Sequence, residues 1–186
     1  MPLFFDSMES LHQFTLQLSL YRSILKCPCC SRDEFLVSHG YTHKIRHDKQ
    51  HRSGKRIFCS NRYGRSGCGS TFSLALSANI PSYRYRAIHL TVFLTCLIGG
   101  TAIAKAYKVA TNSDEPRHAY RWLDKLKRKL PDFRLLVKRI NEPQPNQPNR
   151  KSQKLNILLP TIQRIIDITG PNFCSHYQTQ QQIPFL

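Results

Sequence analysis

The sequence predicts an α+β chain built from two small modules, and three observations carry that prediction. Four cysteines, Cys27, Cys30, Cys59 and Cys68, bracket a stretch of turn formers and short β-prone pieces. Directly after it, residues 83–139 show helical periodicity with a strongly basic outer face. Between the two, Ile80-Pro81-Ser82 reads as a connector.

Residues 1–26 place Leu11, Phe14, Leu18, Tyr21 and Leu25 three or four apart, so they are expected to form an N-terminal helix with one apolar face. Residues 27–79 contain the β-prone pieces 34–37 and 56–58 and read as a small, hairpin-rich metal module. In the next segment, 84–97 is expected to be a helix with Ile88, Val92, Phe93, Cys96 and Leu97 inward. Gly99-Gly100 ends it, and Thr101 is the expected cap of a second helix over 102–110, packed by Ala102, Ile103, Ala106 and Val109. A turn over 111–116 leads to a third helix, expected to run to about Leu130, with Ala119, Trp122, Leu123, Leu126 and Leu130 inward. Residues 140–154 carry three prolines in a polar run and read as a stiff linker. In the last segment, 155–186, a short helix is expected to start near Pro160, followed by a mobile, Gln-rich tail suited to docking a partner.

Charge narrows the function. The chain has 28 Lys and Arg against 11 Asp and Glu, a formal net charge of +17. Nine basic and three acidic residues lie between Arg32 and Arg65, and eleven against four between Lys105 and Arg139. Such clustering fits a polyanionic partner, because neutralising phosphates releases counterions. A membrane is a poor candidate: the apolar run 88–104 is short, holds His89 and is broken by two glycines. The first 26 residues lack the pattern of a secretory signal, and seven cysteines is an odd number. Metal ligation in a reducing, cytoplasmic setting is therefore expected rather than disulfides.

Cys27-Pro28-Cys29-Cys30 offers a Cys-x-x-Cys knuckle, whose spacing lets two thiolates face one tetrahedral zinc ion. Its partner pair is expected to be Cys59 and Cys68, with the eight intervening residues bulging outward and bringing the sulfurs together. Cys29 is the spare thiol. A second ligand set stands beside this one, because Cys27, Cys30, His43 and His47 match the spacing of a Cys2His2 finger. That reading leaves Cys59 and Cys68 unexplained and places Gly40 where the finger's helix should pack. His39, His43, His47 and His51 recur every fourth residue and read as polar hairpin residues near phosphate.

In the helical segment, helix, short helix, turn and basic helix form the order required of a helix-turn-helix that reads a major groove. Arg117 and Arg121 are the candidates for base edges or nearby phosphates, and Lys125, Lys127, Arg128 and Lys129 for the backbone. His118 and Tyr120 share the outer face, and Arg62 and Arg65 add charge from the metal module.

Two sets of motifs carry a resemblance. The first is Cys27-Pro28-Cys29-Cys30, Val37-Ser38-His39-Gly40, Arg56-Ile57-Phe58-Cys59 and Cys68-Gly69-Ser70-Thr71-Phe72-Ser73; the second is Gly100-Thr101-Ala102-Ile103-Ala104-Lys105-Ala106 and Tyr120-Arg121-Trp122-Leu123. In this order they resemble the DNA-binding N-terminal region of bacterial insertion-sequence transposases, over about residues 27–130. The resemblance departs at the Cys59-to-Cys68 spacing, where Cys-x-x-Cys is usual.

The implied fold is a small zinc β-ribbon followed by a three-helix helix-turn-helix module and a linker-tethered C-terminal tail, with one structural Zn2+. Such transposases cut DNA with three acids in a separate domain. Only Glu142 and Asp167 follow the helical segment here, so no catalysis is expected. A histidine nuclease built on the 39–51 run lacks a suitable acid and setting.

The expected function is therefore a nucleoid-associated duplex DNA binder, an accessory or regulator of transposition or recombination. A recombinase, transposase or replication factor is the expected protein partner, docked through the tail, where Gln182-Ile183-Pro184-Phe185-Leu186 resembles peptides that dock on sliding clamps. An RNA-binding or ribosome-associated protein and a protein-binding adaptor are the alternatives.

Overall fold

In the computed structural model the described residues are 3–22, 24–46, 49–81, 85–139 and 153–186. They form a mixed α+β structure with one four-stranded sheet and six α-helices. Two compact units divide it: residues 1–84 with 177–185, and residues 85–176 with Leu186.

The first unit is built on the sheet. Its strands are β1 (Phe4–Phe5), β2 (Leu36–Arg46), β3 (Lys49–Cys59) and β4 (Thr71–Leu76), in the order β1-β4-β3-β2. β2 and β3 form a long antiparallel hairpin, β4 pairs antiparallel with β3, and β1 runs parallel to β4. Side chains alternate between faces along each strand. Ile57 and Leu74 thus point into a core closed by helix α1 (Met8–Leu16), Leu11 and Leu25. Ser7 starts α1 with a capping box shared with Ser10, satisfying backbone donors that would otherwise be orphaned. The expected N-terminal helix over 1–26 is thus shorter. Phe4 and Phe5 pair as a strand, and a 3-10 turn over Leu18–Tyr21 follows α1. The apolar face was legible, but Phe14 reaches Phe5 and Tyr21 through ring contacts at 5.0 and 4.5 Å rather than along one continuous helix.

Residues 177–185 complete this unit, which corrects the expectation of a mobile tail. Gln178 is fully buried and its side-chain amide donates to the carbonyls of Ser77 and Asn79. Gln182 accepts from the Phe4 amide at 2.7 Å, and Phe185 is buried against Tyr177.

The second unit is helical: α2 (Ala87–Ile98), α3 (Ile103–Thr111), α4 (Arg117–Arg139), α5 (Gln153–Thr169) and the start of α6 (Phe173–Gln181). α3 packs on α2 and α4, and α5 packs on the same two helices. Its centre is aromatic. Tyr85, Phe93 and Tyr107 present rings to Trp122 at 5.4–5.5 Å, all steeply inclined to the indole. The Trp122 Nε1 group is buried without a hydrogen-bond acceptor.

Several inward residues differ from expectation. α4 buries the expected Ala119, Trp122, Leu123, Leu126 and Leu130 but continues through Pro131, because Phe133 one turn on is fully buried. In α2 the buried row includes Leu90 and Leu94, leaving Ile88 49% exposed. In α3 Tyr107 takes the core place and Val109 is 58% exposed. The residue capping α3 is Ala102, with no side-chain bond, rather than Thr101. α5 begins at Gln153 and carries Pro160 inside it. The expected linker falls mostly on 140–152, outside the described residues.

Candidate metal centre

Cys27 and Cys30 lie in the turn ahead of β2, Cys59 is the last residue of β3, and Cys68 lies in the loop before β4. Their four sulfurs all fall within 4.8 Å of one another. Cys27 Sγ is 3.5 Å from Cys68 Sγ, and Cys30 Sγ is 3.7 Å from Cys59 Sγ. A tetrahedral ion bound at about 2.3 Å per thiolate would hold its sulfurs about 3.8 Å apart. The cluster therefore matches the dimensions of a four-thiolate metal site.

Local backbone bonding brings the sulfurs together. Ser31 N–H donates to the Cys27 carbonyl and Cys27 N–H to the Arg32 carbonyl, each at 2.8 Å, closing the first turn. On the other side Cys59 N–H donates to the Ser70 carbonyl and Gly69 N–H to the Cys59 carbonyl, each at 2.9 Å. The Cys68 amide also points at Cys59 Sγ, 3.4 Å away. Glycine is required twice here. A Cβ on Gly67 would collide with the Ser60 carbonyl, and Gly69 sits at φ +75°. The Arg32 guanidinium donates to the Ser66 carbonyl, tying the two halves together.

Residues 61–66 are all exposed, so the intervening loop does bulge outward. Burial pushes the Cys59 thiol up to about 12, while the hydroxyl and amide of Ser70 hold the Cys68 thiol down at about 6. A bound cation would favour the thiolate at all four positions.

The finger alternative is not assembled. His43 lies in β2, opposite Arg52, and not on a helix, and it takes no part in the cluster. His47 lies outside the described residues. His39, His43 and His51 are exposed on the hairpin, Cys29 is exposed and outside the cluster, and Cys174 is buried and accepts from Thr91.

The basic candidates sit on the other unit. Arg117, His118, Tyr120, Arg121, Lys125 and Arg128 are all exposed on α4, the four Arg and Lys opposite its buried row and His118 and Tyr120 flanking it. At about 100° per residue, Arg117, Arg121, Lys125 and Arg128 fall within an arc of about 80°. Lys127 and Lys129 are half-buried, and Lys127 lies 3.9 Å from Asp124. Arg62 and Arg65 are exposed on the loop between Cys59 and Cys68. Tyr63 between them, 97% exposed, was missed in the sequence. The signal was there in Asn61-Arg62-Tyr63-Gly64-Arg65, an aromatic between two cations beside a turn glycine.

No family model matches this chain, and no curated protein or solved structure matches it either. No helix among the described residues is long and apolar enough to cross a membrane.

Proposed function

We propose that the chain is a zinc-dependent duplex DNA-binding protein without catalysis of its own, an accessory subunit or regulator of a transposition or recombination system in the nucleoid. The observation that carries this reading is the division of α4 into a buried row centred on Trp122 and an exposed cationic stripe. A helix held rigidly by its apolar face while presenting Arg117 and Arg121 near its start suits insertion into a groove about 12 Å wide. α3, the turn over 112–116 and α4 would serve as the helix-turn-helix. Lys125 and Arg128 would meet phosphates further along the helix.

In this reading Cys27, Cys30, Cys59 and Cys68 hold one zinc ion whose task is structural. All four positions are thiolate ligands, so no open position is left for a substrate. The link to transposition rests on the motif order described above. A recombinase, transposase or replication factor would be the protein partner. Because Phe185 is packed, docking through the C-terminal segment would require its release.

The test is a competition measured by fluorescence anisotropy on the zinc-loaded chain. Duplex DNA should displace a labelled duplex more effectively than structured RNA, with strong salt dependence. Equal or better displacement by RNA would overturn the duplex assignment.

A further inference from the structure

The sheet of the first unit has a second face, opposite Ile57 and Leu74, and its side chains are aromatic and cationic. Phe58, near the end of β3, is half-buried between Val37 on β2 and Thr71 on β4. The His39 ring lies 5.4 Å from the Phe58 ring, and the Arg62 guanidinium sits 5.5 Å over that ring. Arg56, two residues back on β3 and so on the same face, is exposed, as are Thr71 and Ser73.

Beyond this face rises the loop of residues 61–66. Arg65 N–H donates to the Arg62 carbonyl at 3.2 Å, so the loop turns tightly with Tyr63 and Gly64 at its tip. Tyr63 adopts φ +55°, a left-handed conformation uncommon for a bulky residue. Its ring is directed at solvent and packs on nothing. Arg65 completes the set.

Charge is one-sided. Arg56, Arg62 and Arg65 are all exposed, and between Leu36 and Leu76 the sequence holds a single acid, Asp48. An apolar protein partner would leave these cations desolvated and unpaired, whereas a phosphate backbone would neutralise them. Flat rings with flanking guanidinium groups offer stacking to bases, and a base offers its face only when it is out of a duplex stack.

We infer that this face, with Phe58 and Tyr63 as stacking platforms and Arg56, Arg62 and Arg65 on the backbone, binds an unpaired DNA strand. The choice of DNA rests on the duplex reading of α4.

The experiment uses the full zinc-loaded chain and three DNA probes: a blunt duplex, the same duplex with a single-stranded thymidine extension, and free oligothymidine. Wild type should bind the extended duplex more tightly than the blunt one. Tyr63→Ala should lower affinity for the extended duplex and for oligothymidine about tenfold, the scale of one lost base stack. Blunt-duplex binding and zinc content should stay unchanged. Tyr63→Phe keeps the ring and should retain the gain.

If Tyr63→Ala binds the extended duplex as wild type does, the inference is overturned. Arg117→Ala with Arg121→Ala should lose the blunt duplex while keeping oligothymidine, so failure of the α4 reading shows separately. Oligouridine binding tighter than oligothymidine would overturn the assignment to DNA. Should Tyr63→Ala lose zinc, photocrosslinking of wild type to an iodouridine-containing extension decides. Adducts on Tyr63 or Phe58 support the inference, and adducts confined to other residues overturn it.

Discussion

Cys27 Sγ lies 3.5 Å from Cys68 Sγ across 41 positions of sequence. The contact lies where the turn ahead of β2 meets the loop ahead of β4, and a metal ion shared by the four thiolates would act there as a cross-link. It would remove loop-closure freedom from the unfolded chain in the manner of a disulfide.

Cys59→Ser and Cys68→Ser are each expected to abolish binding of the single zinc ion, read by elemental analysis of the purified protein. The first unit should melt at lower temperature in both. His43→Ala should keep full zinc content and wild-type melting. Zinc retained in both serine variants would sink the four-cysteine site.

On α4, Arg117→Ala combined with Arg121→Ala should cost about 1–3 kcal/mol of duplex affinity per residue where the side chains meet bases. Where they meet only phosphates, the slope of log affinity against log salt should fall by about 2. Circular dichroism should be unchanged, because both side chains are exposed. Unaltered affinity and slope would remove α4 from the interface.

Lys55 gives a pH-dependent prediction. It is 5% exposed, and its Nζ lies against Thr15 Oγ1 at 2.6 Å, His12 Nδ1 at 3.1 Å and the Tyr41 ring centroid at 5.3 Å rather than against a carboxylate. Burial lowers its pKa from 10.5. A lysine with a depressed folded-state pKa destabilises the fold fully below that pKa, and the penalty fades as pH rises from there to 10.5. Lys55→Met should therefore raise stability at pH 7 by about 1 kcal/mol and flatten the rise in stability on the alkaline side. Urea unfolding across pH measures both. Thr15 keeps its bond to the His12 carbonyl in the variant, so no buried hydroxyl is orphaned. Destabilisation at pH 7 would mean that the lysine's bonds outweigh its burial.

Gln178→Leu removes the donor to the Ser77 and Asn79 carbonyls and the acceptor for Phe185 N–H. A loss of about 2 kcal/mol is expected, since buried partners left unsatisfied cost about 1–3 kcal/mol. The urea midpoint of the first unit is the readout, and an unchanged midpoint would return residues 177–185 to the role of a loose tail.

Legibility in the sequence followed the range of the interaction. The buried row of α4 could be read because five apolar residues repeat at helical spacing with charge on the opposite side. The Cys27-Cys30 pair could be read because thiols at knuckle spacing have few other uses, whereas Cys59 and Cys68, with eight residues between them, had to be read without that spacing. Less visible was the choice between Tyr107 and Val109 in α3: both are apolar, and only the ring reaches Phe93 and Trp122. Pro131 reads as a stop until the burial of Phe133 beyond it is known. The parallel pairing of Phe4-Phe5 with Ala75-Leu76 has no local signature at all. Gln178 was misread for a related reason: its polarity suggests solvent, but two backbone carbonyls distant in sequence need its amide.

The same Gln178 sets an order of events during synthesis. The first unit takes in residues 177–185, so a nascent chain that has emerged only to Arg84 cannot finish it. Ser77 and Asn79 wait for their donor until about a hundred further residues have left the ribosome. Loss of the segment that carries Gln178 would therefore be felt first in the amino-terminal unit, whose Ser77 and Asn79 carbonyls it serves from far along the sequence.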